Sequence, residues 1–167
     1  PRGPCASASR AFAGNLTTAI RNNHAELLSV PRIVLASASP RRVDLMREAG
    51  WDFEVVVSGA QEAEHHGEGP DFLAIENARR KWATIAPSRP EDIVIAADTV
   101  VWLEEKFFAK PRDMAHAFEM VSALVGRTHS VVTGVVLGSH SQGASEFAET
   151  TLVTFRNFSA SEIEDYL

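Results

Sequence analysis

The chain has 167 residues, 45% of them hydrophobic and 23% charged, which suits one ordinary α/β domain with a real core. Its formal net charge of −6 argues against nonspecific binding to DNA or RNA. No apolar run is long enough to span a bilayer, and the single cysteine, Cys5, excludes an internal disulfide or a thiolate metal cluster. Any phosphate site must therefore be a local basic pocket on an acidic body, and a reducing, cytosol-like compartment is the default.

Residues 1–25 contain three arginines and no acid. That composition fits a remnant transit peptide, which leaves organellar import open, but an extension or cloning segment is the preferred reading. The lack of an initial Met reads as a processed or trimmed start, and residues 19–28 as a short helix. The expected division is an N-terminal extension over 1–30 and one domain over 31–167.

Residues 32–37 read as a strand buried on both faces. Residues 40–49 follow as a helix, with Ser39 as N-cap, Pro40 at the first helical position and Gly50 as the stop. A second strand is expected at 53–57 and a polar, acidic loop at 58–69. The next helix spans 70–86, where Phe72, Ile75, Ala78, Trp82 and Ile85 recur at helical spacing. A buried strand at 93–97 ends at Asp98, and 100–103 and 106–108 pair as a hairpin around Glu104-Glu105. A helix at 113–125 turns Met114, Phe118, Val121 and Val125 inward and closes at Gly126. Strands follow at 130–137 and 147–155. Ser159 opens a last helix, with Glu162 completing a capping box. A helix that starts so near Leu167 is marginal alone, so a domain lacking its carboxyl-terminal part is expected. Alternating strands and helices imply a mixed or parallel sheet flanked by helices, with ligands beyond the carboxyl ends of the strands.

Ser39-Pro40-Arg41-Arg42 is the most informative stretch. It sets two guanidinium groups beside the unpaired amides of a helix N-terminus, a place for a polyanion and above all phosphate. Asp98 is the foremost catalytic candidate: a carboxylate after a buried strand can hold a metal or take a proton from water, or it can simply cap a turn. Glu62 and Glu64 share the acidic loop with His65 and His66. They suggest carboxylate ligation of Mg²⁺ or Mn²⁺, a His-rich transition-metal site, or a solvated loop; for the histidines the solvated loop is preferred.

Lys81 and Lys110 are each placed to reach a phosphate, whereas Arg79 and Arg80 read as solvent-facing or structural. His129, in Gly126-Arg127-Thr128-His129, reads as a structural hydrogen-bonding residue before a proton carrier. Thr133-Gly134 inside a strand suggests a bulge or a close backbone approach. Trp51, Trp82 and Trp102 read as core or interface residues. There is no Walker loop, no dinucleotide Gly-x-Gly-x-x-Gly and no Gly-x-Ser-x-Gly elbow.

Taken together these residues resemble the Maf family of nucleoside triphosphate pyrophosphatases. The resemblance begins at Leu35-Ala36-Ser37-Ala38-Ser39-Pro40-Arg41-Arg42. It runs through Glu62, Lys81, Ala97-Asp98-Thr99-Val100-Val101 and Lys110-Pro111 to Gly126-Arg127-Thr128-His129-Ser130-Val131-Val132-Thr133-Gly134-Val135, and covers about residues 32–167.

The resemblance implies an α/β fold with a mixed central sheet flanked by helices and a deep nucleotide cleft, usually in a homodimer. It also implies divalent-cation-dependent hydrolysis of a nucleoside triphosphate to monophosphate and pyrophosphate. The family is regarded as removing non-standard nucleotides and is linked to restraint of cell division. A noncatalytic nucleotide-binding or division-regulating module is the alternative. Pro40-Arg41-Arg42, Asp98-Thr99 and the His129 strand resemble the branch acting on dTTP and UTP.

Carried over from the family, Asp98 is the proton acceptor, and Arg41 and Thr99 bear on substrate choice. Ser39, Arg42, Glu62, Lys81 and Lys110 supply the remaining phosphate and metal contacts, with Glu62 and Asp98 on the metal and Glu62 and Lys81 beside Asp98 in catalysis. Gln61 and Ala109 depart from an acid and a Gly common in the family. Family members also continue past the point matched by Leu167, with an Asp-Lys-Ala-Gly segment and a Tyr-Gly-Ile-Gln loop contacting the base.

Overall fold

The computed structural model describes residues 30–64 and 67–167. The chain divides into two units, Pro1–Pro31 and Arg32–Leu167, and the described structure is that of the second. All of the extension expected over 1–30 except Val30, its short helix, and His65 and His66 lie outside the described residues.

Eleven elements follow in order: β1 (Ile33–Leu35), α1 (Pro40–Glu48), β2 (Glu54–Val55), α2 (Pro70–Ile85), a 3-10 turn (Ala86–Ser88), β3 (Ile93–Leu103), β4 (Lys106–Phe108), α3 (Met114–Leu124), β5 (Thr128–Ser139), β6 (Gly143–Thr154) and α4 (Ala160–Tyr166). The six strands form one mixed sheet in the order β2-β1-β3-β5-β6, with β4 also on β3. β1 is parallel to β2 and β3, whereas β4 and β5 run antiparallel to β3 and β6 antiparallel to β5. Among the described residues no helix is long and apolar enough to cross a membrane.

The largest departure from the sequence reading is β3. The strand expected to end at Asp98 runs on as one eleven-residue strand through Leu103. Asp98 is therefore mid-strand, paired across the ladder with Gly134. A charge inside an apolar run looked like a terminus, but strand continuity depends on backbone partners, and β5 supplies them from Val94 to Trp102. The hairpin around Glu104-Glu105 is present, both residues taking positive φ (44° and 67°), as a tight two-residue turn demands.

On the other edge of β3, β1 pairs only with Ile93–Ile95 and β4 only with Val101–Leu103. The stretch 96–100 has no strand on that edge among the described residues. The sheet is notched there.

α2 lies over β3 and β5 and carries two apolar clusters. Near its start, Leu73 and Ala74 pack with Val100 and Val132. At its end, Ile85 and Ala86 pack with Val34, Ala36, Val94 and Ala96. Full burial of a side chain such as Leu73 contributes about 1.5–3 kcal/mol. The buried stripe runs Leu73, Ala74, Asn77, Ala78 and Ile85 rather than through Phe72, which is exposed. Ala78, Trp82 and Ile85 face the core as expected; two polar side chains, Asn77 and Lys81, occupy the middle of the stripe, so apolar periodicity alone misses part of that face.

Other expectations are corrected too. Met114 is 61% exposed; Ala117 and Leu124 are the buried residues of α3. Trp51 is exposed, while Trp82 is half-buried and donates from Nε1 to the Gly138 carbonyl at 3.2 Å. The capping box of α4 is present, with the Ser159 hydroxyl accepting from the Glu162 N–H. The Ser39 side chain makes no cap bond to α1; the hydroxyl of Ser37 accepts from the Ser39 N–H instead, at 3.2 Å.

Gly134 permits a close approach rather than a bulge, since both of its ladders keep register. A Cβ there would lie 2.3 Å from the Ala74 carbonyl carbon and 2.4 Å from the Ile75 nitrogen. These are backbone atoms, so the helix itself would have to move. Gly134→Ala is expected to destabilise the fold by about 1–3 kcal/mol, the cost of overpacking, read as a lower urea midpoint; an unchanged midpoint would contradict this packing.

Candidate active site

The notch in the sheet is filled by cations. The Ala97 carbonyl, left without a strand partner on that edge, accepts from Arg42 Nη1 at 3.0 Å and lies 3.5 Å from Lys81 Nζ. Successive strand side chains point to opposite faces, so Asp98 meets α2 and Thr99 meets α1. Arg42 accordingly reaches Thr99 Oγ1 at 2.8 Å and Ser37 Oγ at 3.3 Å, and Thr99 shares a 3.0 Å hydrogen bond with Thr133.

On the α2 face, Lys81 Nζ is 2.6 Å from Asp98 Oδ1 and 2.7 Å from Glu62 Oε1, and its side chain is only 12% exposed. With Ala97, the ammonium has three acceptors for its three hydrogens. Asn77 Nδ2 donates to Asp98 Oδ2 at 3.2 Å. Lys110 Nζ is 3.6 Å from Glu62 Oε2, although its side chain is 89% exposed.

Burial pulls the Arg42 guanidinium below its ordinary value; Asp98 and Glu62 oppose that, while Arg41 reinforces it. Arginine stays charged nonetheless. Burial alone would raise the Glu62 carboxyl, but its hydrogen bond to Lys81 and the charges of Lys81 and Lys110 outweigh this and hold it below its usual value.

Lys81, Asp98, Glu62, Arg42 and Thr99 are thus brought together, and Lys110 reaches the margin. Arg41 is exposed, next to Arg42 in the first turn of α1. Ser39 contributes its N–H to Ser37 rather than a side-chain contact. Glu64 is exposed. Arg79 joins α2 to β6 through two bonds to Glu146, at 2.8 and 2.6 Å, as a structural tie. His129 is buried at the start of β5 with its ring edge-on to Phe155 at 4.9 Å, and burial holds it below its ordinary value. Thr133, which shares the site's hydrogen bonds, lies four residues along the same strand, roughly 13 Å away at strand rise. Sequence reasoning missed Ser37 and Asn77. Asn77 stands four residues before Lys81, hence on the same helical face, and that spacing was the available signal.

Among the described residues no group of three His, Cys, Asp or Glu side chains is placed to hold a metal ion. The pair Asp98 and Glu62 fits a hard cation of the Mg²⁺ type, which uses one or two carboxylates and completes its shell with waters and substrate phosphates. That the two carboxylates already share one ammonium shows they converge on a single cationic centre.

A carboxylate held below its usual value stabilises the fold above the unfolded-state value and loses that contribution as pH falls through the folded one. Glu62→Gln is therefore expected to lower the urea midpoint at pH 7, the gap from the unsubstituted protein closing as pH drops below 4.5, the ordinary value for this carboxyl. A gap that persisted unchanged at pH 3 would contradict the ion pairing.

The chain is similar to proteins of known name. A dTTP/UTP pyrophosphatase of Bacillus cytotoxicus is 39% identical over 136 residues, covering 81% of this chain and 71% of the relative. One from Salmonella typhimurium is 40% identical over 136 residues, covering 81% and 68%. Among solved structures, the Ham1 protein of Staphylococcus aureus superposes with a TM-score of 0.50 at 17% identity, covering 72% of this chain and 70% of that one, a likeness of fold. The family model for Maf-like proteins matches residues 32–167, and the chain belongs to that family.

Proposed function

We propose that this protein hydrolyses pyrimidine nucleoside triphosphates, dTTP and UTP foremost, to the nucleoside monophosphate and pyrophosphate. The observation that carries the reading is the half-buried Lys81 ammonium shared by Asp98 and Glu62 beside Arg42 at the notch in the sheet. The names of the relatives at 37–40% identity support it. A partly buried ion cluster adds little net stability, because desolvation of its members offsets their attraction. Ala96 and Val100 flank Asp98 on the same face, so packing alone would be served by an apolar residue at 98.

In this reading the triphosphate lies against Arg41, Arg42, Lys110 and the N-terminus of α1, whose dipole favours anions. Glu62 and Asp98 hold Mg²⁺ or Mn²⁺, which offsets phosphate charge when bound. Asp98 accepts the proton of the attacking water through a carboxylate oxygen, and Lys81 pairs with that carboxylate at 2.6 Å. The water attacks the α-phosphorus, the bond to the bridging oxygen breaks, and pyrophosphate leaves. Thr99, fixed by Arg42 and Thr133, lies on the opposite face, where it bears on substrate choice. Positioning and electrostatics supply most of the rate. A homodimer is the assembly that the family resemblance favours.

Asp98→Asn removes the proton acceptor and keeps the shape. Pyrophosphate release from dTTP is expected to fall on the order of a hundredfold or more, with nucleotide affinity largely retained. Full release by Asp98→Asn, or orthophosphate as the sole product of the unsubstituted protein, would refute the assignment.

A further inference from the structure

We propose that Asn77 is a positioning residue that fixes the Glu62 and Asp98 carboxylates relative to one another. The inference rests on the reading above, in which those two carboxylates serve one cation. Asn77 lies in the middle of α2, 3% exposed. Its Oδ1 accepts the Ala63 N–H at 2.6 Å, and its Nδ2 donates to the Ala63 carbonyl at 3.1 Å and to Asp98 Oδ2 at 3.2 Å. Both amide hydrogens are spent.

The grip on Ala63 engages N–H and C=O together, as a neighbouring strand would, and Ala63 directly follows Glu62. One rigid side chain on a packed helix thus touches one carboxylate and clamps the peptide next to the other. The loop from β2 to α2 has no regular structure of its own near Glu62. The Ala63 side chain packs on the Leu73–Val132 cluster, so the clamp is backed by apolar contact. Lys81 draws the two carboxylates together by charge, but an ammonium on a flexible stem sets no angle. Asn77 supplies direction. Groups that orient ligands from behind in this way commonly change metal affinity or activity 10–100-fold when removed.

The test compares the unsubstituted protein with Asn77→Leu, Asn77→Ser and a control on the same helix, Arg79→Ala, which breaks ties to Glu146 on β6 and to Glu76. Three quantities are read: the urea midpoint, Mn²⁺ affinity by electron paramagnetic resonance with an α,β-imido analogue of dTTP, and kcat and KM for dTTP across a Mg²⁺ series. Both Asn77 variants are expected to lose about tenfold or more in Mn²⁺ affinity and about 10–100-fold in kcat, with KM for dTTP within about threefold. Arg79→Ala is expected to lower the midpoint without changing the metal requirement.

Asn77 variants that lower the midpoint as Arg79→Ala does, while Mn²⁺ affinity and kcat stay within about twofold, would reduce the residue to a structural role and overturn the proposal. Should Asn77→Leu not fold, Asn77→Ser decides by the same criteria. If the unsubstituted protein releases no pyrophosphate, the functional reading fails by itself, and the Mn²⁺ arm still decides on Asn77. Absence of any Mn²⁺ binding by the unsubstituted protein overturns both.

Discussion

A lysine held between two carboxylates beneath a notch in a β-sheet is the constraint around which the rest of this protein is arranged. Lys81 meets Asp98 at 2.6 Å and Glu62 at 2.7 Å, with its side chain almost wholly out of water. An unpaired charge at that depth would be costly, so the three groups form a unit in which removing one member strands the others. The notch makes the unit reachable. Where β1 has ended and β4 has not begun, the β3 edge offers a bare carbonyl at Ala97, and cations from two helices close on it. Arg42 and Lys81 complete the sheet edge with charge in place of backbone.

The surrounding packing holds this polar centre in register. Along β3, Val94 and Ala96 belong to one apolar cluster and Val100 to the other, with Asp98 between them. Along α2, Ile85 and Leu73 mark the corresponding ends, with Lys81 and Asn77 between. The helix is pinned at both ends by apolar burial and spends its middle turns on polar contacts. Gly134, opposite Asp98 in the ladder, lets the α2 backbone approach the sheet closely. Farther out, Arg79 ties α2 to β6 through Glu146, and Arg89 ties the turn after α2 to the β2 edge through two bonds to Glu54 at 2.8 and 2.6 Å.

Much of this was legible in the chain. Apolar runs, Pro at helix starts and Gly at their ends located most elements; Asp98 stood out as a charge closing an apolar run, while Glu62 and Lys81 were weighed as phosphate or metal contacts and tied to the site by the family resemblance. What was not legible depended on partners distant in sequence. Asp98 looked like a strand end because its neighbour on β5 is thirty-six residues away. On α2 the expected face held at Ala78, Trp82 and Ile85 but missed Leu73, Ala74 and Asn77, because Asn77 and Lys81, polar residues on the sheet-facing side, break the apolar period that reveals such faces. The cap bond expected from the Ser39 hydroxyl is not made; the Ser37 hydroxyl instead accepts from the Ser39 N–H and from Arg42, which draws it into the site's network. In each case the local signal was overruled at a residue the site recruits, as expected where chemistry departs from packing rules.

The most direct measurement is the anomalous scattering of Mn²⁺ in crystals grown with an unhydrolysable triphosphate analogue. The account predicts one strong peak at coordination distance from both an Asp98 and a Glu62 oxygen, with the α-phosphate beside it and the Arg42 guanidinium on the phosphate chain. A peak bound elsewhere, with Lys81 still seated between the two carboxylates and the phosphates remote from the sheet notch, would contradict it.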